Sequence, residues 1–214
     1  VSFSYEPGST MKIFSFMAAI EEGVYDGEEE FSSGVKYVGN SRVTDWNNTG
    51  WGMITYDKGF AYSSNVAAAN LGLMLGKDKL VEYYKSFGFG KRTGIELADE
   101  YYGVLKPTYD LEVANTAFGQ GMTTTPIQNI QALTTLANDG VMLRPYIIDK
   151  VIDPDTGEEI YRGTKNELGQ VVSKSTVEKM MELLHEAVYS EDGWATGRIY
   201  KTKATTLVGK TGTA

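Results

Sequence analysis

The stretch PGSTMKIFSFMAAI at residues 7–20 decides the fold. After Lys12 it holds eight residues with one polar member, and a helix that is apolar on nearly every side is typical of a protein interior. Burying an ammonium group is costly unless its pKa falls or a partner lies close by. Ser9, three residues earlier, shares a helix face with Lys12. One interpretation makes Lys12 reach the surface and Ser9 cap the helix; the other makes the two side chains a functional pair.

Composition bounds the classes of protein that the chain can belong to. It has 214 residues, of which 42% are hydrophobic, so a sizeable core is expected. The formal net charge is −8 without a Lys/Arg cluster, which argues against a nucleic-acid partner. There is no cysteine, which excludes disulfides and thiol chemistry. No run approaches 18 apolar residues, so the sequence predicts no membrane span here.

Apolar spacing and capping residues predict a chain with more helix than strand. Helices are expected at about 10–22, 55–60, 66–75, 77–90, 125–140 and 173–189, the last opened by Ser173 or Ser175. The rest of 24–60, rich in Gly, Asn, Ser and Asp, is predicted to be irregular, and 92–105 to be loop with a short strand. Two strands are expected around the DPDTG turn, and a last strand at 205–214. The strands are expected to be antiparallel, which gives a single α/β domain of the α+β type over 1–214.

Three short motifs follow one another along the chain: Ser9-Thr-Met-Lys12, Ser63-Ser-Asn65 and Lys210-Thr-Gly212. Each is weak alone, because S-x-x-K recurs at Ser33–Lys36 and an isolated SSN is usually a helix cap. The ordered set S-x-x-K, S-x-N and K-T-G is that of penicillin-binding proteins and class A β-lactamases.

The resemblance extends over nearly the whole chain. The stretches that carry it are YEPGSTMK, FAYSSN, FGQGMTTTPIQ, LANDGVMLRP and GKTGTA. Together they resemble the transpeptidase domain of class B penicillin-binding proteins, here from the S-x-x-K motif to the K-T-G motif. DEYYG at 99–103 and the pair Asp45-Trp46 are similar to Gram-positive members. The resemblance implies an antiparallel sheet flanked by helices, with the nucleophile helix at its centre. We expect the chain to be the middle of a longer protein, with this fold incomplete at both ends.

The first two motifs supply the expected acid–base groups. A serine hydroxyl needs a base to become a good nucleophile, and Lys12 is the natural base for Ser9 if burial keeps it neutral. The only histidine, His185, lies on an amphipathic helix and matches no motif, so we expect it on the surface and expect no Ser-His-Asp triad. The resemblance implies that Ser63 relays a proton towards the leaving amine. It also implies that Asn65 hydrogen-bonds Lys12 and the substrate amide.

The third motif is expected to bind the substrate. By resemblance, Lys210 supplies positive charge across the cleft, and Thr211 and Thr213 bind a terminal carboxylate. Gly212 has no side chain, so its backbone can lie close to the acyl group. The backbone N–H groups of Ser9 and Thr213 are expected to form the oxyanion hole. Trp46 either lines the cleft or is a core aromatic residue. FGQG at 118–121 is expected to shape the floor of the site, without a chemical role for Gln120.

The resemblance implies a D,D-transpeptidase that cross-links peptidoglycan stem peptides through an acyl-enzyme on Ser9. D-Ala would leave, β-lactams would acylate the same serine, and neither a metal nor an organic cofactor would be needed. Expected partners are stem peptides ending in D-Ala-D-Ala, β-lactam antibiotics, a glycosyltransferase and divisome or elongasome proteins. The expected location is the outer face of the bacterial cytoplasmic membrane, anchored by a preceding segment.

Four alternatives share the fold. A serine β-lactamase of class A needs a Glu-x-x-Leu-Asn segment, and Glu112-Val-Ala-Asn115 has the wrong spacing and lacks the leucine. A D,D-carboxypeptidase differs only in its acceptor. A penicillin-sensing receptor domain would be acylated without synthesis. A catalytically silent scaffold is disfavoured by the intact motifs.

Overall fold

The computed structural model describes residues 1–213. Its helices are α1 (Lys12–Glu21), α2 (Tyr56–Ala61), α3 (Asn65–Ser86), α4 (Asp110–Ala117), α5 (Pro126–Ala137) and α6 (Lys174–Tyr189). Its strands are β1 (Glu30–Ser32), β2 (Val35–Val38), β3 (Ser41–Thr44), β4 (Met53–Thr55), β5 (Val141–Leu143), β6 (Lys150–Ile152), β7 (Glu159–Arg162) and β8 (Glu167–Gln170). None of the helices in this range combines the length and apolarity that a bilayer crossing requires.

The strands form antiparallel pairs, β1 with β4, β2 with β3, β5 with β8, and β6 with β7. The predicted mixture of helices and antiparallel strands, with more helix than strand, is confirmed. Within residues 1–213 these pairs remain four separate two-stranded sheets and do not join into one central sheet.

Helix α1 lies at the centre of the core. A 3₁₀ segment, Gly8–Met11, leads into it, and every residue of Lys12–Ala19 is buried. The ring of Phe14 lies 5.0 Å from the rings of both Phe87 and Phe89, at the end of α3. The other side of α1 contacts α6. The predicted buried helix is therefore confirmed, and Lys12 lies inside the protein rather than at its surface.

The ends of the helices follow their capping residues. Thr55 and Ser173 accept hydrogen bonds from backbone N–H groups in the first turns of α2 and α6. Thr125 and Gln128 satisfy each other's backbone N–H groups at the start of α5, which is a capping box. The predicted starts of these helices are confirmed, and the start of α6 is assigned to Ser173.

Helix α3 contains the break that the sequence predicts between two helices. Gly76 has φ +75° and ψ 162°, which interrupts the helical backbone while the chain continues as one element. The predicted second helix extends to residue 90, but α3 ends at Ser86, before Gly88 and Gly90, both with positive φ. The apolar face of this helix packs on α1 and α4.

Most of 24–54 is irregular as predicted, but the prediction misses the four short strands β1–β4 that lie within it. These strands have three or four residues, too few for alternation to stand out. Their pairing has one local signal, the two-residue hairpin turn Gly39-Asn40 between Val38 and Ser41. Gly39 has φ +58°, as such turns require.

The predicted strand at 205–214 is wrong for the residues described. Residues 201–213 contain no strand, and Ala214 lies outside the described range. A strand needs a neighbour for its ladder of hydrogen bonds, and no described segment pairs with this one. Three further elements that the sequence does not predict, α4, β5 and β8, are present. The hairpin around DPDTG is confirmed, with Lys150 opposite Arg162.

Candidate active site

Ser9 lies in the 3₁₀ segment at the start of α1, close against the backbone of the FGQG stretch. Gly8 N–H donates to the carbonyl of Gly119 at 3.0 Å. Gly119 has φ +87°, and a Cβ there would lie 2.0 Å from the Gly8 oxygen. Only a glycine leaves room for this approach. The stretch therefore positions the turn that carries Ser9.

Lys12 is fully buried, and its Nζ lies among four oxygens from the first two motifs. It is 2.9 Å from Ser9 Oγ, 2.7 Å from the Ser63 carbonyl oxygen and 2.7 Å from Asn65 Oδ1. Ser63 Oγ lies 3.1 Å away. The structure thus brings the pair predicted from spacing into contact and joins it to the second motif.

These contacts suit a neutral amine. An uncharged lysine has two N–H donors and one lone pair. The two shortest contacts are to carbonyl oxygens, which only accept, so in the neutral form the two N–H donors point there and the lone pair can face the Ser9 hydroxyl. Burial and then the charge of Lys210 hold the pKa of Lys12 well below its usual value, while Asp45 raises it. The arrangement can therefore take a proton from Ser9.

Ser63 lies between the two lysines. Its Oγ accepts a hydrogen bond from Lys210 Nζ at 2.7 Å and lies 3.1 Å from Lys12 Nζ. Its φ is +60°, which is uncommon for a residue with a side chain. Burial lowers the pKa of Lys210 to about 7. This hydroxyl can pass a proton from one side of the site to the other.

Asp45 organises the start of α3. It has no predicted role in the site and enters the family resemblance only as part of the Asp45-Trp46 pair. It is 1% exposed, and its carboxylate accepts hydrogen bonds from Ser64 Oγ at 2.8 Å and Val66 N–H at 3.0 Å. Gly34 N–H donates to its other oxygen at 2.8 Å. Asn65, between these anchored positions, donates to the Thr44 carbonyl, which leaves its amide oxygen facing Lys12. Asp45 thus fixes the second motif.

A cavity of about 850 Å³ opens beside Ser9. The predicted site residues that line it are Ser9, Trp46, Ser63, Asn65, Thr211 and Thr213. Trp46 is 54% exposed and donates its indole N–H to the Tyr62 carbonyl, so it is a cleft residue and not a core aromatic residue. Gly212 lies against the first motif, where a Cβ would come within 2.9 Å of Thr10 Cγ2. The three motifs therefore meet around one cleft.

The remaining lining comes from Phe118, Gln120 and the segment 193–196. The first two belong to the predicted floor. Segment 193–196 is not found by sequence reasoning, because it matches none of the three motifs. Its only signal is its place between a long amphipathic helix and the third motif.

Two other polar residues lie outside the cavity. His185 is on α6, with its side chain 45% exposed and its ring stacked on Tyr189. Its predicted surface position is confirmed. Glu112 accepts hydrogen bonds from the backbone N–H groups of Thr108 and Tyr109, and so caps α4. Its carboxylate is not among the residues that line the cleft, so it is not placed to activate a deacylating water.

Comparison with known proteins agrees with this geometry. The family model described as the penicillin binding protein transpeptidase domain matches residues 1–214. Stage V sporulation protein D of Bacillus subtilis is 38% identical over 99% of the chain and 33% of its own length. PbpB of Mycolicibacterium smegmatis is 33% identical over 100% of the chain and 34% of its own length. The chain thus spans about a third of the length of these curated relatives.

Solved structures of similar fold point to the same family. The D,D-transpeptidase domain of a peptidoglycan glycosyltransferase from Eggerthella lenta superposes with a TM-score of 0.91 at 31% identity. That match covers 100% of this chain and 54% of the other. Penicillin binding protein 3 of Mycobacterium tuberculosis in complex with aztreonam gives a TM-score of 0.81 at 30% identity, over 92% of this chain and 45% of the other. The chain belongs to the penicillin-binding protein transpeptidase domain family.

Proposed function

We propose that this domain is a serine D,D-transpeptidase that cross-links the stem peptides of peptidoglycan. One observation carries the proposal: the buried amine of Lys12 contacts the Ser9 hydroxyl. Its other partners are the Ser63 carbonyl oxygen, the Asn65 amide oxygen and the Ser63 hydroxyl. A lysine held in this way acts as a general base without a histidine.

The proposed reaction begins with transfer of the Ser9 proton to Lys12. Ser9 Oγ attacks the carbonyl carbon of the D-Ala-D-Ala amide, and the backbone N–H groups of Ser9 and Thr213 stabilise the oxyanion. The proton moves through the Ser63 hydroxyl to the leaving nitrogen, the C–N bond breaks and D-Ala departs. Lys210 lies against Ser63 and favours negative charge at the hydroxyl during this transfer.

The acyl group on Ser9 then passes to an amine of a neighbouring stem peptide. The same base removes a proton from that amine, the new amide bond forms and Ser9 Oγ is released with its proton. Thr211 and Thr213 bind the terminal carboxylate of the donor, and Asn65 binds its amide. A β-lactam presents a similar amide and carboxylate, so it acylates Ser9. Its C–N bond breaks, but because that amide is cyclic the leaving nitrogen remains part of the adduct and does not depart as D-Ala does.

The substrate fixes the proposed setting. Cross-linking of peptidoglycan takes place outside the cytoplasmic membrane, and we place the domain at the outer face of that membrane, held by an anchor elsewhere in the protein. The proposed partners are a glycosyltransferase that supplies glycan strands and proteins of the division or elongation machinery.

The test is acylation of the complete protein by benzylpenicillin, followed by intact mass. We expect one adduct per chain, mapped to Ser9 and stable for hours, and no adduct for Ser9→Ala or Lys12→Met. Lys36→Met changes the lysine of the second S-x-x-K pair, outside the cleft, and is expected to leave acylation unchanged.

The lifetime of the adduct and a second assay separate the alternatives. An adduct that clears within seconds contradicts the proposal and supports a β-lactamase. With a stable adduct, a synthetic donor peptide and an acceptor amine are supplied, and cross-linked product is expected. Release of D-Ala without cross-linking supports a carboxypeptidase, and neither product supports a sensor. No adduct in folded protein contradicts the role of Lys12 as a working base.

A further inference from the structure

One wall of the cleft is formed by a loop of residues 190–197, called here the 190–197 loop, which follows α6. The loop is fixed at three points. Thr196 N–H donates to the Ala61 carbonyl at 3.1 Å, and Gly197 N–H donates to the Ala187 carbonyl at 2.8 Å. Asp192 accepts a hydrogen bond from the Tyr62 hydroxyl at 2.6 Å. Ala61 and Tyr62 directly precede Ser63, so the loop is tied to the second motif.

The loop also touches the third motif. Thr211 Oγ1 donates a hydrogen bond to Thr196 Oγ1 at 2.9 Å, and both residues line the cleft. The other acceptor near Thr196 Oγ1 is the Ala61 carbonyl at 3.5 Å, the limit for a hydrogen bond. That carbonyl already accepts the Thr196 N–H. The hydroxyl of Thr196 is therefore held mainly by Thr211.

The hydroxyls of Thr196 and Thr211 have one proton each, and a bound carboxylate determines the direction in which each proton points. A carboxylate only accepts hydrogen bonds, so Thr211 must donate its single proton to it. The hydrogen bond between the two threonines must then reverse, so that Thr196 Oγ1, 2.9 Å away, donates to Thr211 Oγ1. With the proton of Thr196 on Thr211, the proton of Thr211 is free to point into the cleft.

We propose that Thr196 is a positioning residue for carboxylate recognition, whose hydroxyl donates to Thr211 and turns the Thr211 proton towards the ligand. The inference rests on the proposed function, which places a terminal carboxylate at Thr211 and Thr213. It extends that site to a residue outside the three motifs. The ligand class is a carboxylate monoanion that accompanies the acylated carbonyl, as in D-Ala-D-Ala peptides and penicillins.

The experiment compares two acylating reagents that differ at the carboxylate, benzylpenicillin and its methyl ester. Second-order acylation rates are measured by intact mass for the complete protein and for Thr196→Val, Thr196→Ser and Thr206→Val. Valine keeps the shape of threonine and removes the hydroxyl. Serine keeps the hydroxyl. Thr206 is exposed and is not among the residues that line the cleft, so its valine variant is the matched control.

We expect Thr196→Val to lower the rate with benzylpenicillin about tenfold, the size of one hydrogen bond to a charged group. With the methyl ester, the acylation rate of Thr196→Val is expected to stay within about twofold of the wild-type rate, because the ester has no charged carboxylate for Thr211 to bind. Thr196→Ser and Thr206→Val are expected to behave like the wild type. The ratio of the two rates does not depend on how much of each variant is folded.

Equal losses with both reagents would show a purely structural role for Thr196 and overturn the inference, as would no loss with either. Both results leave the adduct on Ser9 and the proposed function intact. A wild-type protein that neither reagent acylates contradicts the proposed function, and the inference falls with it.

Discussion

At the scale of single residues, the site depends on Lys12 being buried without a carboxylate in direct contact. Its spacing from Ser9 is visible in the sequence, and from it the pairing of the two side chains follows. The contacts with Ser63 and Asn65, more than fifty residues away, come only from the fold. The resemblance to a family names these residues, but spacing cannot show that the amine faces two carbonyl oxygens.

The pH dependence of acylation follows from the two lysines. Lys12 must be neutral and Lys210 charged, so the rate rises with pH as Lys12 loses its proton and falls as Lys210 loses its own. Because burial lowers the pKa of Lys210 to about 7, the descending limb is expected near that pH. Lys210→Arg keeps its charge, so the variant is expected to lose the descending limb up to about pH 10, although its maximum rate is lower.

The measurement is the benzylpenicillin acylation rate of the complete protein at a series of pH values. Lys36→Arg lies outside the cleft and serves as the control, with an unchanged profile. A descending limb that stays in place in Lys210→Arg would assign that limb to another group.

At the scale of elements, the sequence predicts the helices that have a clear apolar or amphipathic pattern, but it misses the short helix α4, although Glu112 caps that helix. The buried helix α1, the Pro-opened α5 and the amphipathic α6 all begin close to the expected residues. The short strands β1–β5 and β8 are not predicted, because they are stabilised by pairing with other segments and have no local pattern of their own. The strand predicted at 205–214 is absent from residues 201–213 for the same reason: no described segment pairs with it, so its local sequence alone does not form a strand. The wall formed by the 190–197 loop cannot be predicted from motifs for a related reason, since two of the three hydrogen bonds that fix it come from residues 61 and 62, far away in the sequence.

The start of α3 gives a prediction for Asp45. All three of its partners donate, so the position needs an acceptor at both oxygens. Asp45→Asn places an NH₂ group against one donor, and we expect the free energy of unfolding to fall by about 2 kcal/mol. Acylation is expected to slow about tenfold, because the second motif loses its anchor.

Urea unfolding and acylation by benzylpenicillin are measured together for this variant. Asp155→Asn, on the exposed turn of the β6–β7 hairpin, is the control and should change neither quantity. A loss of stability with an unchanged acylation rate would separate Asp45 from the site.

The contact between the Ser9 turn and the FGQG stretch gives a second prediction. Gly119→Ala adds a Cβ against the Gly8 oxygen at a positive φ, so both strain and overlap oppose it. We expect a loss of about 3 kcal/mol in the free energy of unfolding and a strong loss of Ser9 acylation.

Gly121→Ala is the matched control, because Gly121 also has a positive φ, +69°, while its nearest neighbour would be 4.0 Å away. It is expected to lose only about 1 kcal/mol from backbone strain, with acylation retained. Equal effects of the two substitutions would mean that backbone strain, and not the close approach to Gly8, dominates.

At the scale of the whole molecule, the site is built on the core and not on its periphery. Helices α1 and α3 pack on each other and supply Lys12 and Asn65. The β2–β3 hairpin contacts α3 and α4, and it leads directly into Asp45. The β6–β7 hairpin differs, since every residue in both of its strands is exposed.

These two hairpins therefore differ in what they contribute to catalysis. Replacing 151–161 with Asn-Gly between the paired residues Lys150 and Arg162 keeps a two-residue turn and removes the exposed hairpin. We expect benzylpenicillin acylation within about twofold of the wild-type rate, because no core contact is lost. The unfolding midpoint is expected to stay nearly constant.

The matched change replaces 36–43 with Asn-Gly between Val35 and Thr44, which are also paired. It removes Val43, which is 3% exposed, and displaces the chain entering Asp45. Acylation is expected to be lost, since the second motif depends on that aspartate. If the domain tolerates both deletions equally, its site is organised by α1 and α3 alone. If it is sensitive to both, the β6–β7 hairpin must be connected to the core through contacts that this geometry does not contain, and the expectation for that hairpin is wrong.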